Sequence, residues 1–474
     1  MAFLAVLDSK RAQYNLVQRL LRANFPCPPA WTKLSGSPCM NSQMSKSSRL
    51  VLLSIDGLRP GVYRAPGRGE RFPNLAALEK DGASAEAAES IYPSTTYPAH
   101  ATIATGLAPR AHGIYSHLAS LDPTEKARPW CWFAQALRAP ALWDVARASG
   151  RRSAALSWPV SAGAAIDWNI PEIWNPAVAD PHRDFETAAR HSTPGVVEEV
   201  AKVVTPLLRP LPDGEGPAVD PDQMRGEAAL HLWNRCRPDL LLVHFVWYDS
   251  KAHAFGPESP EALTALESAD RALGKFREAV ASDPATALIV LSDHGFVPAE
   301  KEAAPLVTFA EHGLFGRGAD GSLALRRLGA VNAGGSMAVY WLEAPSADDR
   351  RRLEAAVDRL KQAGAVQEVL DRRRLEELQA DPDAELMLEA APGFCFADRL
   401  EGPEISDSPK DHGTHGYLPT RPGMEATFIA TGRAIAAGKN LGRISVAQIA
   451  PTLARLLGLP DDILGPKERP LALG

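Results

Sequence analysis

The sequence predicts an α/β fold: a doubly wound, mostly parallel sheet with helices on both faces, plus a small inserted α+β subdomain. Two observations predict it. Apolar, β-branched runs recur without the polar alternation of half-exposed strands, as buried parallel strands do. Segments with helical spacing of apolar residues lie between them, and strand–helix alternation marks a sheet covered on both sides. A chain of 474 residues accommodates one large α/β domain or two to three smaller ones.

The runs "RLVLLSI" (49–55), "SAALSW" (153–158), "DLLLVHFVW" (239–247) and "TALIVLS" (286–292) are the expected strands. "FPNLAALEKDG" (72–82), "ALWDVARASG" (141–150) and "SPEALTALESADRALGKFREAVA" (259–281) are the expected helices between them. Residues 320–400 read differently. "SMAVYWLE" (336–343) predicts a strand, "SADDRRRLEAAVDRLKQAG" (346–364) a charged helix, and after "AVQEVLD" a second charged helix follows near 371–379. Their Arg/Glu-rich surfaces are expected to be solvated. "SVAQIAPTLARLLG" (445–458) predicts a last helix packed on the sheet. The division is therefore a catalytic α/β domain of residues 49–319 and 401–474 with the inserted subdomain at 320–400. The Pro-rich stretch 204–221 reads as a surface excursion.

Residues 1–48 stand apart, with six Lys and Arg against one acidic residue, Asp8. "MAFLAVL" is too short for a signal-peptide core and has no basic residue before it. The segment is read as a poorly ordered extension, and Met44 is a second possible start. The net charge of -6 argues against a nucleic-acid polymer as partner. No apolar run approaches the ~20 residues of a membrane span. Five scattered cysteines, odd in number and without a CxxC, read as reduced thiols in a cytoplasmic chain.

Chemistry concentrates where the strands end, because ligands of open α/β sheets bind beyond the carboxyl ends of the strands. "LVLLSIDG" ends in Asp56 and "ALIVLSDHG" in Asp293-His294, while "LLVHFVWYDSKAH" carries Asp249 with His253 four residues on. A carboxylate and an imidazole at i and i+4 share one face of a helical turn and can grip one ion. "DHGTHGY" adds His412 and His415. Each feature has a plain alternative: a strand-end Asp caps helices, and an i, i+4 pair is often a surface pair. Three strand ends delivering such groups to one edge point instead to metal. A mixed Asp/His set suits Zn²⁺ better than Mg²⁺. Two ions about 4 Å apart serve phosphoryl transfer.

"YPSTTYPAHATIATG" places Ser94, Thr95 and Thr96 at a helix entrance. Taken alone, capping of the helix accounts for them. Beside a metal-binding edge, one of these hydroxyls becomes a nucleophile, since a bound cation can draw off the proton an unassisted Thr would keep.

With these stretches in hand the sequence resembles the type I phosphodiesterase/nucleotide pyrophosphatase family of the alkaline phosphatase superfamily. The matching segments are "LLSIDGLRP" (52–60), "FPNLAAL" (72–78), "PSTTYPAHATIATGLAPRAHGI" (93–114), "LWDVARASGRRSAALSWP" (142–159), "YDSKAHAFGP" (248–257), "LSDHGF" (291–296), "GTHGY" (413–417) and "AQIAPTLARLLG" (447–458). The resemblance implies an alkaline-phosphatase-like fold and two Zn²⁺ per chain. It implies one ion on Asp249, His253 and His415 and the other on Asp56, Asp293, His294 and Thr96, with His412 outside the set. It implies Thr96 as the nucleophile of a double displacement through a phospho-Thr96 intermediate. The implied substrate is a small phosphorylated compound, a phosphodiester or nucleotide pyrophosphate; a phosphomonoesterase or phosphonoacetate hydrolase on the same core, and a metal-binding pseudoenzyme, are the alternatives. Two positions depart from the family's pattern. Ala252 replaces a Gly before His253. His117, preceded by Ser116, occupies the place of an Asn that holds a phosphoryl oxygen, so His117 is the expected substrate contact, gaining charge near pH 6.5.

Overall fold

The computed structural model describes residues 49–474, apart from 178–184, 208, 211–216, 219, 318–322, 325–326, 461–463 and 466–467. The N-terminal segment 1–48 and part of the Pro-rich excursion fall outside the described residues.

In chain order the main elements are β1 (Arg49–Ile55), α1 (Pro73–Asp81), β2 (Ala83–Ser84), α2 (Thr96–Thr105), α3 (Leu142–Ala148), β3 (Ser153–Leu156), β4 (Trp168–Ile170), α4 (Pro221–Cys236), β5 (Leu240–Phe245), α5 (Trp247–Phe255), α6 (Pro260–Ala281) and β6 (Thr286–Leu291). There follow β7 (Leu328–Asn332), β8 (Ser336–Trp341), α7 (Ala347–Gln362), β9 (Val366–Asp371), α8 (Arg372–Glu377), β10 (Leu386–Ala390), β11 (Phe428–Thr431), β12 (Lys439–Asn440) and α9 (Ile449–Leu457).

Eight strands form the central sheet in the order β12-β2-β11-β6-β1-β5-β3-β4. Only β11 among them runs antiparallel to its neighbours. The remaining pairs are parallel, so β1, β5 and β6 open their carboxyl ends on one edge. Strand β1 explains the layering. Val51, Leu53 and Ile55 face α1, α4 and α6 through Leu75, Leu232 and Phe276. Leu50 and Leu52 face α2, α3 and α9 through Ile103, Leu142 and Leu453. Both faces of the strand are apolar because both are covered. The expected doubly wound sheet is the one observed, mixed by the single strand β11.

A second sheet, β7-β8-β10-β9, is antiparallel throughout. Helix α7 starts at a capping box made by Ser346 and Asp349 and packs Leu353, Val357 and Leu360 into that sheet's core. Its arginines remain exposed or paired with surface carboxylates, as the composition predicted. This sheet matters to the site because β8 holds the loop after His412: Gly335 N–H donates to His415 O at 2.7 Å, and Ser336 Oγ–H to Gly416 O at 2.6 Å.

Cys131, Cys236 and Cys395 are free thiols. Among the described residues no helix is long and apolar enough to cross a membrane.

Candidate metal centre and active site

Three chain reversals at the carboxyl edge place the carboxylates. Asp56 follows β1 directly, and its N–H donates to Phe245 O at the end of β5. The next residue, Gly57, turns with φ +69°, where a Cβ would press on the Phe296 ring. Its N–H donates to Asp293 Oδ1 at 3.2 Å, which ties the β1 and β6 exits together. Asp249 and His253 lie one turn apart on α5. That helix is aimed by buried Asp222 of α4, which accepts the N–H groups of Val246 and Trp247 at 3.2 and 3.0 Å. A carboxylate at a helix entrance satisfies orphan donors and complements the dipole.

The predicted residues come together. His294 Nε2 lies 3.2 Å from Asp293 Oδ2 and 3.4 Å from Asp56 Oδ1. His253 and His415 bring their Nε2 atoms to 3.7 and 3.8 Å from Asp249 Oδ1. Asp249, His253 and His415 form one set of mutually adjacent ligand atoms, and Asp56, Asp249 and His294 another. Asp249 thus stands between the two sets, while Asp293 reaches the second through His294. His412 is exposed and contributes only backbone bonds.

The tautomers are set from behind. The Nδ1 atoms of His253, His294 and His415 face the carbonyls of Gly413, Gly295 and Ser94 at 3.1, 2.9 and 3.1 Å. Each ring donates there from Nδ1, and its Nε2 lone pair turns towards the carboxylates. Asp56 Oδ1, Asp249 Oδ1 and Asp293 Oδ2 are buried without a hydrogen-bond partner. Three partnerless carboxylate oxygens and three imidazole Nε2 atoms converging on one space form a donor set that cations would satisfy.

Electrostatics agree. Burial, with Asp249 and Asp293 close by, drives the Asp56 carboxyl well above the ordinary range. Burial also raises Asp249. Burial would raise Asp293 too, but His294, His100 and His244 outweigh it and hold that carboxyl low. Burial, reinforced by His294 and His253, pushes the His415 imidazole well below its usual value.

Thr96 is the first residue of α2 and lies with Oγ1 3.3 Å from His294 Nε2. Between Ile91 and Gly106 every residue but Thr96 is buried. The capping explanation fails here: Ser94 Oγ–H donates to Ile91 O, Thr95 Oγ1–H to Pro93 O, and no side chain caps α2. The first-turn N–H groups therefore lack a side-chain cap beside an accessible hydroxyl, a suitable place for an anion.

His117 sits next to the site, its ring edge-on to Trp130 at 4.7 Å between centroids. Burial, then Arg128 and His253, lower its imidazole to about 4. This corrects the expectation of a charge change near pH 6.5: a ring packed on an aromatic wall beside the Arg128 guanidinium stays neutral. Ser116 is engaged locally, its Oγ accepting from Leu118 N at 3.0 Å.

Sequence reasoning missed a polar layer beneath these residues. His244, the last residue but one of β5, meets Asp56 Oδ2 at 3.1 Å and Glu172 Oε2 at 3.0 Å. Burial would lower the His244 imidazole, but its two carboxylate partners lift it to about 10. His100 of α2 bonds Ser54 and the Thr96 carbonyl. An apolar-strand pattern interrupted by one His was the only signal for His244.

A family model described as type I phosphodiesterase / nucleotide pyrophosphatase matches residues 50–418. The chain belongs to that family. Among curated family relatives, venom phosphodiesterase 2 of Crotalus adamanteus is 28% identical over 262 residues, covering 53% of this chain and 27% of the relative. Ectonucleotide pyrophosphatase/phosphodiesterase family member 3 of Mus musculus is 27% identical over 258 residues, covering 52% and 24%. The chain thus spans about a quarter of the length of these relatives. Among solved structures, murine ectonucleotide pyrophosphatase/phosphodiesterase 5, an inactive form in complex with AMP, superposes with a TM-score of 0.58 at 18% identity, covering 87% of this chain and 96% of that one. That likeness establishes the shared fold.

Proposed function

We propose that this family member is a two-zinc phosphohydrolase that cleaves phosphodiester or nucleotide pyrophosphate bonds, with Thr96 as nucleophile. The observation that carries the reading is the set of three partnerless buried carboxylate oxygens, on Asp56, Asp249 and Asp293, gathered with three Nε2 atoms beside the Thr96 hydroxyl. Asp249, His253 and His415 would hold one ion, and Asp56, Asp293, His294 and Thr96 the other. When bound, the two cations would supply the positive charge that favours the Thr96 alkoxide and offsets charge on the phosphoryl oxygens.

The chain's own groups do the rest. Thr96 Oγ1 attacks phosphorus as its proton is given up, the P–O bond to the leaving alcohol or phosphate breaks with that oxygen taking up a proton, and a phospho-Thr96 intermediate forms that keeps the substrate's other group on phosphorus. Water then attacks that intermediate and returns the Thr96 hydroxyl. The uncapped N–H groups opening α2 face the phosphoryl oxygens as fixed donors. The family's description, and the AMP bound to the similar murine protein, support a nucleotide as substrate.

The test is a panel on zinc-loaded protein with matched diester, pyrophosphate and monoester substrates, alongside Thr96→Ala. A diester or pyrophosphate preference that vanishes in the variant is expected. A monoester preference, or full activity in the variant, rejects the reading.

A further inference from the structure

Under the carboxylates lies a set of residues that links three parts of the site. Strand β5 is buried along its whole length and otherwise reads Leu-Leu-Leu-Val and Phe. His244 interrupts it, paired in register with Ser54 of β1 and fully buried. A buried imidazole in such a strand costs desolvation unless both nitrogens are engaged. Both are. Nε2 donates to Asp56 Oδ2 at 3.1 Å, and Nδ1 donates to Glu172 Oε2 at 3.0 Å. The remaining oxygen of Glu172, Oε1, accepts the Tyr97 O–H at 3.1 Å. Tyr97 directly follows Thr96. The His100 ring packs edge-on to His244 at 4.4 Å and accounts for the Thr96 carbonyl.

We propose that His244 and Glu172 are positioning residues: they fix Asp56 so that its partnerless Oδ1 points at the cation site, and through Tyr97 they hold the start of α2, and with it Thr96, in register with that oxygen. The inference rests on the two-zinc reading. Without His244, Asp56 could rotate to use either oxygen, and a carboxylate free to rotate presents a poorer ligand. Glu172 acts through His244, since its contact with the site runs by way of that ring and Tyr97.

The experiment measures zinc affinity of the full chain by competition with a chromophoric chelator, and thermal melting of the zinc-free protein. The variants are His244→Gln, Glu172→Ala, Glu172→Gln and the His244→Gln/Glu172→Ala double. His244→Gln and Glu172→Ala are expected to weaken zinc binding about 10- to 100-fold. Glu172→Gln, which keeps an acceptor for His244, is expected to stay within about threefold of wild type. The double variant is expected to lose clearly less than the two single losses combined, because Glu172 reaches Asp56 only through His244 and its Tyr97 contact alone remains to be lost. Additive losses overturn the proposal. So does a drop in zinc-free melting temperature with zinc affinity unchanged, which marks a purely structural role. Wild-type protein that binds no zinc defeats the two-zinc reading itself, an outcome visible before any variant is made.

Discussion

Thr96 Oγ1 lies 3.3 Å from Nε2 of His294, across 198 positions of sequence. The hydroxyl and the imidazole share no hydrogen-bonded strand or helix; they meet because α2 begins above the carboxyl end of β6. Thr95, one residue earlier, is turned away and bonds Pro93 O. Thr96→Ala is therefore expected to lower kcat by at least about 10³-fold, with Thr96→Ser retaining part of the activity and Thr95→Ala costing under about tenfold. Steady-state kinetics on the preferred diester decide it. An inactive Thr95→Ala beside an active Thr96→Ala would move the nucleophile by one residue.

Asp249 stands in both candidate ligand sets. Its charge also adds to the pressure that raises Asp56. Two opposite consequences follow for Asp249→Asn. Zinc content, expected near two ions per chain in the wild type, falls to about one because the site of Asp249, His253 and His415 loses a ligand. The zinc-free protein becomes more stable, by roughly 1–2 kcal/mol, because one of three crowded carboxylates is neutralised. Elemental analysis and denaturation of chelated protein measure the two effects. A variant that keeps two ions, or that is less stable when zinc-free, contradicts the assignment.

His117 packs against Trp130, and its imidazole is held down to about 4. The ring is neutral from about pH 5 upward. The ratio of monoester to diester kcat/KM is therefore expected to show no His117-dependent inflection between pH 6 and 9. His117→Asn should shift that ratio by a constant factor at every pH, if at all, since both side chains donate without changing charge. Profiles whose shapes differ between wild type and variant would show that the ring titrates in the working range.

The parts of this architecture legible in the sequence were those decided locally. β1 and β6 are continuous apolar runs, and a buried parallel strand needs nothing else to be recognised; Asp56 and Asp293-His294 followed because they end those runs. The α5 pair was readable from its i, i+4 spacing. What escaped depends on distant partners. His244 and Glu172 are separated by 72 residues, and neither spacing nor composition links them. Helix α4 escaped because its buried face is made largely of small residues, Gly226, Ala228 and Ala229, with Leu232 and Trp233 only near its end. Strand β7 is an edge of the second sheet and β10 lies between β8 and β9; both are short, largely buried runs whose meaning comes only from pairing with β8. The hydroxyl triplet misled in the other direction: its composition matches a cap, but the backbone turns Ser94 and Thr95 back onto their own loop.

Glu389 of β10 supplies the last prediction, because it joins the second sheet to both loops that build the site. It is 2% exposed; Oε2 accepts from Tyr92 O–H at 3.4 Å and Oε1 from Leu418 N–H at 3.0 Å. Tyr92 leads into the Thr96 turn, and Leu418 follows His415. Burial raises this carboxyl to about 8, against the lowering effects of the Leu418 N–H, Arg421 and Tyr92 and with a small push from Glu368. An unfolded Glu titrates near about 4.3. Between those values the folded chain keeps a proton that the unfolded chain releases, so this group's contribution to stability is greatest at low pH. It is lost progressively as pH rises towards 8 and changes no further above it. Glu389→Gln keeps an acceptor for Leu418 and removes the titration. The variant is therefore expected to gain on the wild type as pH rises from 5 to 8, by on the order of a few kcal/mol across the window. Above pH 8 the two should run parallel. Melting temperatures of both proteins at half-unit steps from pH 5 to 9 measure it, and a difference that stays constant over the whole range would show that Glu389 ionises in the folded protein as it does in the unfolded one.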